Sequence, residues 1–312
     1  MKLSKHFKIS HLFILLLFMF PVFAHDMNYW LYSGSLIFIY IIMTMGLNLL
    51  VGFGGQISIG QASFLAIGAY TSAICTIALG MPFWLTLPLS GVFTALIGFF
   101  VGLPAVRLSG HLLAVATLGF GAAIPELLLK WDTLTGGFSG LTLDKPSIFG
   151  FSFDTDFKMY YLLLVVTVVI TWLIYNLIRS RFGRAFIAIR ESEVAATATG
   201  INVPFYKVLM FTISAFYTGI AGGLYANFVG YITPHDFNIS ISLIVLAMVV
   251  LGGVASIPGS YLGAMLLTMI PQLTSGIPGL SLILMGVAMV LIILFLPNGL
   301  ISINQRWKKV RG

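Results

Sequence analysis

Residues 179–207 read RSRFGRAFIAIRESEVAATATGINVPFYK, and this one stretch holds five of the chain's 16 Lys and Arg residues and two of its nine acids. Long apolar runs flank it, MYYLLLVVTVVITWLIYNLI at 159–178 and VLMFTISAFYTGIAGGLYANFV at 208–229. A run of about 20 apolar residues is what a helix needs to cross the hydrocarbon layer of a bilayer. A basic segment between two such runs reads as a cytoplasmic loop, because Lys and Arg accumulate in short cytoplasmic segments. The rest of the 312 residues agree: 59% are hydrophobic and 8% charged, where an ordinary soluble domain is about one quarter charged. The chain is therefore expected to be an all-α polytopic membrane protein. The same composition excludes a disordered chain, a nucleic-acid binder with a broad basic face and a disulfide-stapled secreted domain, since Cys75 has no second cysteine to pair with.

Working outward from that loop, apolar windows predict about ten spans, at 9–24, 31–51, 57–80, 83–104, 111–130, 159–178, 208–229, 239–257, 260–276 and 280–297. With the N-terminus inside, this count places 13 of the 16 basic residues in the cytoplasm and leaves Lys130, Lys145 and Lys158 outside. Six acids fall outside: Asp26, Asp132, Asp144, Asp154, Asp156 and Asp236. Both termini are expected to be cytoplasmic, in a single transmembrane domain covering 1–312. The basic start followed by apolar residues from Leu12 to Phe23 also reads as a secretory signal, with Val22 and Ala24 before a cleavage point at His25. An uncleaved first helix suits the charge count better.

Two polar segments leave the membrane. The segment 131–158 is expected as an external loop, either a plain connection or a docking surface or gate. The segment 179–207 is more patterned. Arg184 to Thr199 has no Pro or Gly, which predicts one helix, with Gly200 as its stop and Pro204 as the restart. Its charged residues Arg184, Arg190, Glu191 and Glu193 and its small residues Ala195, Ala196 and Ala198 suit docking into a cleft of a partner protein.

Glu193, Ala195, Ala196 and Gly200 resemble the Glu-Ala-Ala…Gly loop of ABC importer permeases, although Val194 separates the Glu from the alanines. The runs GLNLLVGFGGQISIGQASFLAIGAYTSA (46–73), LTGGFSGL (134–141), GYITPHDFNISISLIVLAMVVLGGVASIPGSYLGA (230–264) and FLPNGLI (295–301) extend the likeness. In that order they are similar to the longer of the two permeases of branched-chain amino acid ABC importers; urea and short-amide importer permeases share many of them. The resemblance implies an ABC importer permease fold. It also implies a heterodimer with a second permease subunit, two ABC ATPase subunits and a periplasmic amino-acid-binding protein, in a bacterial-type inner membrane. Residues Arg184, Arg190, Glu191, Glu193, Ala195, Ala196 and Gly200 would couple to the ATPases, which would use the ATP and Mg, with no cofactor bound by this chain.

Two glycine-broken segments share a pattern. Gly54-Gly55-Gln56-Ile57-Ser58-Ile59-Gly60 and Gly252-Gly253-Val254-Ala255-Ser256-Ile257-Pro258 both read Gly-Gly-x-x-Ser-Ile and then a helix breaker. Paired interruptions in corresponding parts of two halves point to discontinuous helices beside a transport pathway, and re-entrant segments are an alternative. Gly98 and Gly102, Gly219 and Gly223, and Gly259 and Gly263 are spaced for helix packing instead. Asn48, Gln56, Ser58, Gln61 and Ser63 put neutral polar groups around the first break, where lipid would leave them unsatisfied. With Gly54, Gly55, Gly252, Gly253 and Ser256 they form the expected pathway lining for an uncharged or zwitterionic solute. Glu126 is the one acid within a span, read either as a partner for Lys130 four residues on or as a gate or substrate contact.

Absences narrow the mechanism. The sequence has no Gly-x-x-x-x-Gly-Lys-Ser/Thr phosphate loop, no Gly-x-Ser-x-Gly nucleophile motif, and five scattered His without metal-ligand spacing. Neither an enzyme nor a metal site is expected. An ion-coupled secondary transporter, the reading of another class, would bury more ionisable residues than Glu126 alone.

Overall fold

The computed structural model describes residues 28–108, 110–148, 150–274, 279–296 and 299–302. The expected first span, the signal-like start and both charged termini lie outside the described residues. In chain order the helices are α1 (Asn28–Asn48), α2 (Gln61–Leu79), α3 (Phe83–Ala105), α4 (His111–Lys130), the short α5 (Asp132–Thr135), α6 (Asp156–Arg179), α7 (Arg181–Glu191), α8 (Glu193–Ala198), α9 (Val203–Val229), α10 (Ile239–Gly252), α11 (Ile257–Leu273) and α12 (Leu280–Phe295). Nine of the ten expected spans are thus helices. Seven stretches are long and apolar enough to cross a membrane: Tyr29–Phe53, α2, α3, α4, α6, α9 and Pro234–Gly252. Helices α11 and α12, with 17 and 16 residues, stop short of a full crossing at about 1.5 Å per residue.

Contacts along the helices fix their directions. Gly102 of α3 faces Phe211 and Val208 of α9 while Gly223 faces Ser90, so α3 and α9 run antiparallel. Helix α2 runs parallel to α9: Gln61 bonds Ser214, and Asn227 Nδ2 donates to Ser72 Oγ at 2.9 Å. The glycines are where these helices approach most closely, since a Cβ on Gly68 would fall 2.2 Å from the carbonyl oxygen of Gly219. Packing explains the expected glycine pairs of α3, α9 and α11 directly.

Helix α9 is the hub, flanked by α3, α2 and α1, while α1 also carries α6, α10 and α11. The apolar windows of α1 and α9 are 83% and 72% buried, whereas those of α4 and α6 are 22% and 28% buried. The outer helices turn large apolar side chains outward, among them Phe100, Val115 and Trp172. A surface of that kind would aggregate in water and is matched to hydrocarbon.

The helix ends collect on two faces. One carries Arg107, Arg179, Arg181, Arg184, Arg190 and Lys207 against Glu191 and Glu193; the other carries Asp132, Asp144, Asp154, Asp156 and Asp236 against Lys130, Lys145 and Lys158. The acidic face is where the 131–158 segment folds back. Two-residue strands β1 (Leu141–Thr142) and β4 (Tyr231–Ile232) pair antiparallel there, and β2 (Ser147–Ile148) pairs with β3 (Phe151–Ser152). Thr233 and Asp236 form a capping box that orders the turn into α10.

Candidate functional site

The basic face holds the 179–207 segment as two helices rather than the one expected over 184–199. Ser192 is the reason: its backbone is extended and its Oγ accepts from Ala195 N at 3.2 Å, so it closes α7 and caps α8. Helix α7 is amphipathic. Ala185 is buried, and Phe186 and Ile189 are buried in a cluster with Leu49, Leu50, Met210 and Phe211, which anchors the helix beneath α1 and α9. The opposite side exposes Arg184 and Glu191, with the apolar Ile187 at its edge, while Phe182 at the start of the helix is part-exposed beside the Tyr206 ring of α9. Helix α8 exposes Ala195 and buries Ala196 against the chain's own core. Val194 is 82% exposed, the most exposed large apolar side chain of this segment. Sequence reasoning passed over it as the residue that spoiled the Glu-Ala-Ala spacing.

Two predicted coupling residues have partners inside the chain, and the backbone explains a third. Glu193 bonds Lys207 Nζ at 2.7 Å, and the lysine side chain is only 5% exposed, so the carboxylate neutralises a buried cation. Gly200 has φ +84° and open space where a side chain would stand, so its turn conformation accounts for the glycine. Arg190 turns its guanidinium toward the first glycine break, and Nη1 donates to the carbonyl of Gly52 at 2.8 Å.

That break begins where α1 widens into a π-helical turn over Leu49–Phe53. Gly54 N bonds Leu49 O and Gln56 N bonds Leu50 O, a wide spacing that leaves the Gly52 carbonyl free for Arg190. Residues 56–60 then run without helix against α4. Ile59 N donates to Thr117 Oγ1 at 2.9 Å, and Ser63 Oγ donates to the carbonyl of Gly121 at 3.1 Å. Gln61 donates to Ser214 and Thr218 of α9, and Ser242 of α10 accepts from Ala62 N at 2.8 Å. Gln56 and Ser58 are buried, yet among the described residues neither end of the Gln56 amide nor the Ser58 hydroxyl has a hydrogen-bond partner, and Gln61 Oε1 has none. Buried polar groups are nearly always paired in folded proteins, so four such atoms within six residues mark this turn.

The second break lies beside the first. Asn48 at the end of α1 joins them, its Nδ2 donating to Ser256 O at 3.0 Å and to Ser260 Oγ at 2.9 Å while its Oδ1 accepts from Ala255 N at 2.9 Å. Both breaks therefore sit at one depth near the basic face, and α1 and α10 enter them in the same direction. Here the backbone packs tightly. A Cβ on Gly252 would stand 1.9 Å from the Gly259 carbonyl, and one on Gly263 1.9 Å from that of Met248. Ser256 caps α11 by accepting from Gly259 N at 3.1 Å. Glu126 stands apart from both breaks. It is exposed on α4, past the turn that touches residues 59–60, and neither it nor Lys130 forms an ion pair within 4 Å among the described residues.

Residues 29–293 match the family described as branched-chain amino acid transport system / permease component. The chain belongs to that family. It is 35% identical over 303 residues to the high-affinity branched-chain amino acid transport system permease protein LivM of Salmonella typhimurium, a match covering 89% of this chain and 71% of the relative. It is 36% identical to LivM of Escherichia coli K12 over the same shares. More distantly, it is 28% identical over 228 residues to the autoinducer 2 import system permease protein LsrC of Escherichia coli O9:H4, covering 66% of this chain and 62% of that one. No solved structure matches it. The chain is accordingly a multi-pass membrane protein and the permease component of a branched-chain amino acid type ABC transporter, a homologue of LivM.

Proposed function

We propose that this permease carries leucine, isoleucine and valine inward across a bacterial inner membrane, receiving them from a periplasmic binding protein and drawing energy from ATP hydrolysed by two partner ATPases. A second permease subunit completes the pathway. The observation that carries this reading is the pair of helices α7 and α8 on the basic face, with Val194 exposed and Arg190 bonded to the first break. A docking element that touches the pathway backbone is what an externally driven permease requires, because a partner shifts a conformational equilibrium only through contacts that differ between the two states. The excess of Lys and Arg on that face supports its cytoplasmic orientation. The LivM relatives favour branched-chain substrates over the urea or amide alternative.

Co-expression of the tagged chain with its neighbouring subunits tests the machine. Two phosphate-loop ATPases and a companion permease are expected to co-purify, Val194→Asp is expected to release the ATPases without removing the chain from the membrane, and ATP-driven uptake of radiolabelled leucine in proteoliposomes is expected only with the loaded binding protein. Uptake driven by an ion gradient without ATPases would replace this reading with the ion-coupled one.

A further inference from the structure

Under the function proposed above, a movement of α7 has to reach the pathway, and one side chain gives it a route. Arg190 lies in the last turn of α7 and donates to the Gly52 carbonyl that the π turn leaves free. The following turn rests directly on the arginine: a Cβ on Gly55 would stand 3.2 Å from Arg190 Cγ and 3.5 Å from its Cα, and Gly55 has φ +69°. On its other side the turn meets a fixed frame. A Cβ on Gly52 would stand 1.9 Å from Asn48 Oδ1 and 2.5 Å from Ala255 N, and Asn48 is itself held by three hydrogen bonds to the second break and α11. Residues 52–55 are thus clamped between Arg190 and the frame. Just beyond the clamp are Gln56 and Ser58, buried and without partners among the described residues. Water or a polar solute reaching these groups would relieve the cost of their unpaired burial.

We propose that Arg190 is a positioning residue that latches the 52–58 turn shut, and that drawing it away with α7 exposes Gln56 and Ser58 to a neutral or zwitterionic polar solute. Amide and hydroxyl groups offer both donors and acceptors to such a solute and no fixed charge to trap it.

Cysteine accessibility tests the latch in inside-out vesicles carrying the whole transporter, with Cys75→Ser removing the chain's one native thiol. Ser58→Cys is expected to react slowly with a membrane-impermeant maleimide while Arg190 is intact. With Arg190→Ala the rate is expected to rise about tenfold, the population change that loss of one charge-assisted hydrogen bond produces. Arg190→Lys, which keeps a donor, is expected to recover most of the protection. Equal rates with and without Arg190 overturn the latch. So does a matching rise at Ser260→Cys, deep in the Asn48 frame, because that pattern reports general loosening. These arms need no nucleotide; if they succeed while a non-hydrolysable ATP analogue leaves Ser58→Cys labelling unchanged, the latch stands and ATPase coupling falls.

Discussion

The two glycine breaks share a seven-residue pattern and a direction of entry, yet they are built to opposite ends. At the second, each group is satisfied or packed: Ser256 caps α11, Gly252 touches Gly259, and the amide of Ala255, at φ +59°, is held by Asn48. At the first, the serine in the equivalent place has no helix to cap, because α2 starts three residues later at Gln61 with Gly60 before it. One break is a closed joint, the other an unsatisfied turn pressed upon by α7. A common motif therefore states where a helix stops and leaves open whether the stop moves.

Substitution can break that comparison. The largest expected loss is at Gly252→Leu or Gly263→Val, where a side chain has to enter space filled by backbone carbonyls; destabilisation of about 3 kcal/mol or more is expected, read as a steep fall in detergent melting temperature. Gly55→Ala, which meets mainly its φ of +69° and the flexible Arg190 stem, is expected to cost about 1 kcal/mol. If the two breaks prove equally sensitive, the contrast between a closed joint and a loose turn is wrong. Asn48→Ala comes next, at about 2–3 kcal/mol, because it leaves the Ala255 amide and the Ser256 carbonyl without their partner.

Glu193→Lys is the informative variant on the coupling side. It places a second cation beside the buried Lys207, so lost uptake would have a cause within the chain as well as at a partner. Because Glu193 is half exposed, about 1–2 kcal/mol is expected, and Lys207→Glu in the same chain should restore the melting temperature. The smallest effects are the sharpest. Ser256→Ala should lose about 1 kcal/mol with its cap. Gln56→Leu should hold or slightly raise stability, by up to about 1 kcal/mol, because it removes a buried amide without partners, while leucine uptake falls. A Gln56→Leu chain that loses stability and keeps its uptake would show that the amide is structural.

The sequence carried more of the spans than of the site. Nine predicted windows became helices because a segment of about 20 apolar residues in lipid has to satisfy its backbone internally, and the helix does so without help from neighbours. The division of charge between two faces was legible for the same reason, since the alternation of spans alone sorts the loops. Less legible were features decided by a few atoms. Propensity averages over a window and so places Ser192 in a helix interior, whereas its extended backbone and cap depend on where α7 meets the core through Phe186 and Ile189. Val194 was visible as an exposed-segment apolar residue, but nothing local distinguishes a docking valine from a buried one.

By itself, the sequence determined that this chain lives in lipid, which loop is the large basic one, and where two helices are interrupted; these follow from solvent, backbone hydrogen bonding and local conformation. Only the tertiary structure decided that the interruptions lie side by side with Asn48 between them, that Glu193 serves Lys207, and that Arg190 reaches the Gly52 carbonyl. Those pairings join residues 14 to more than 200 positions apart, so they exist only once the helices have packed, and close glycine contacts set how near the helices come.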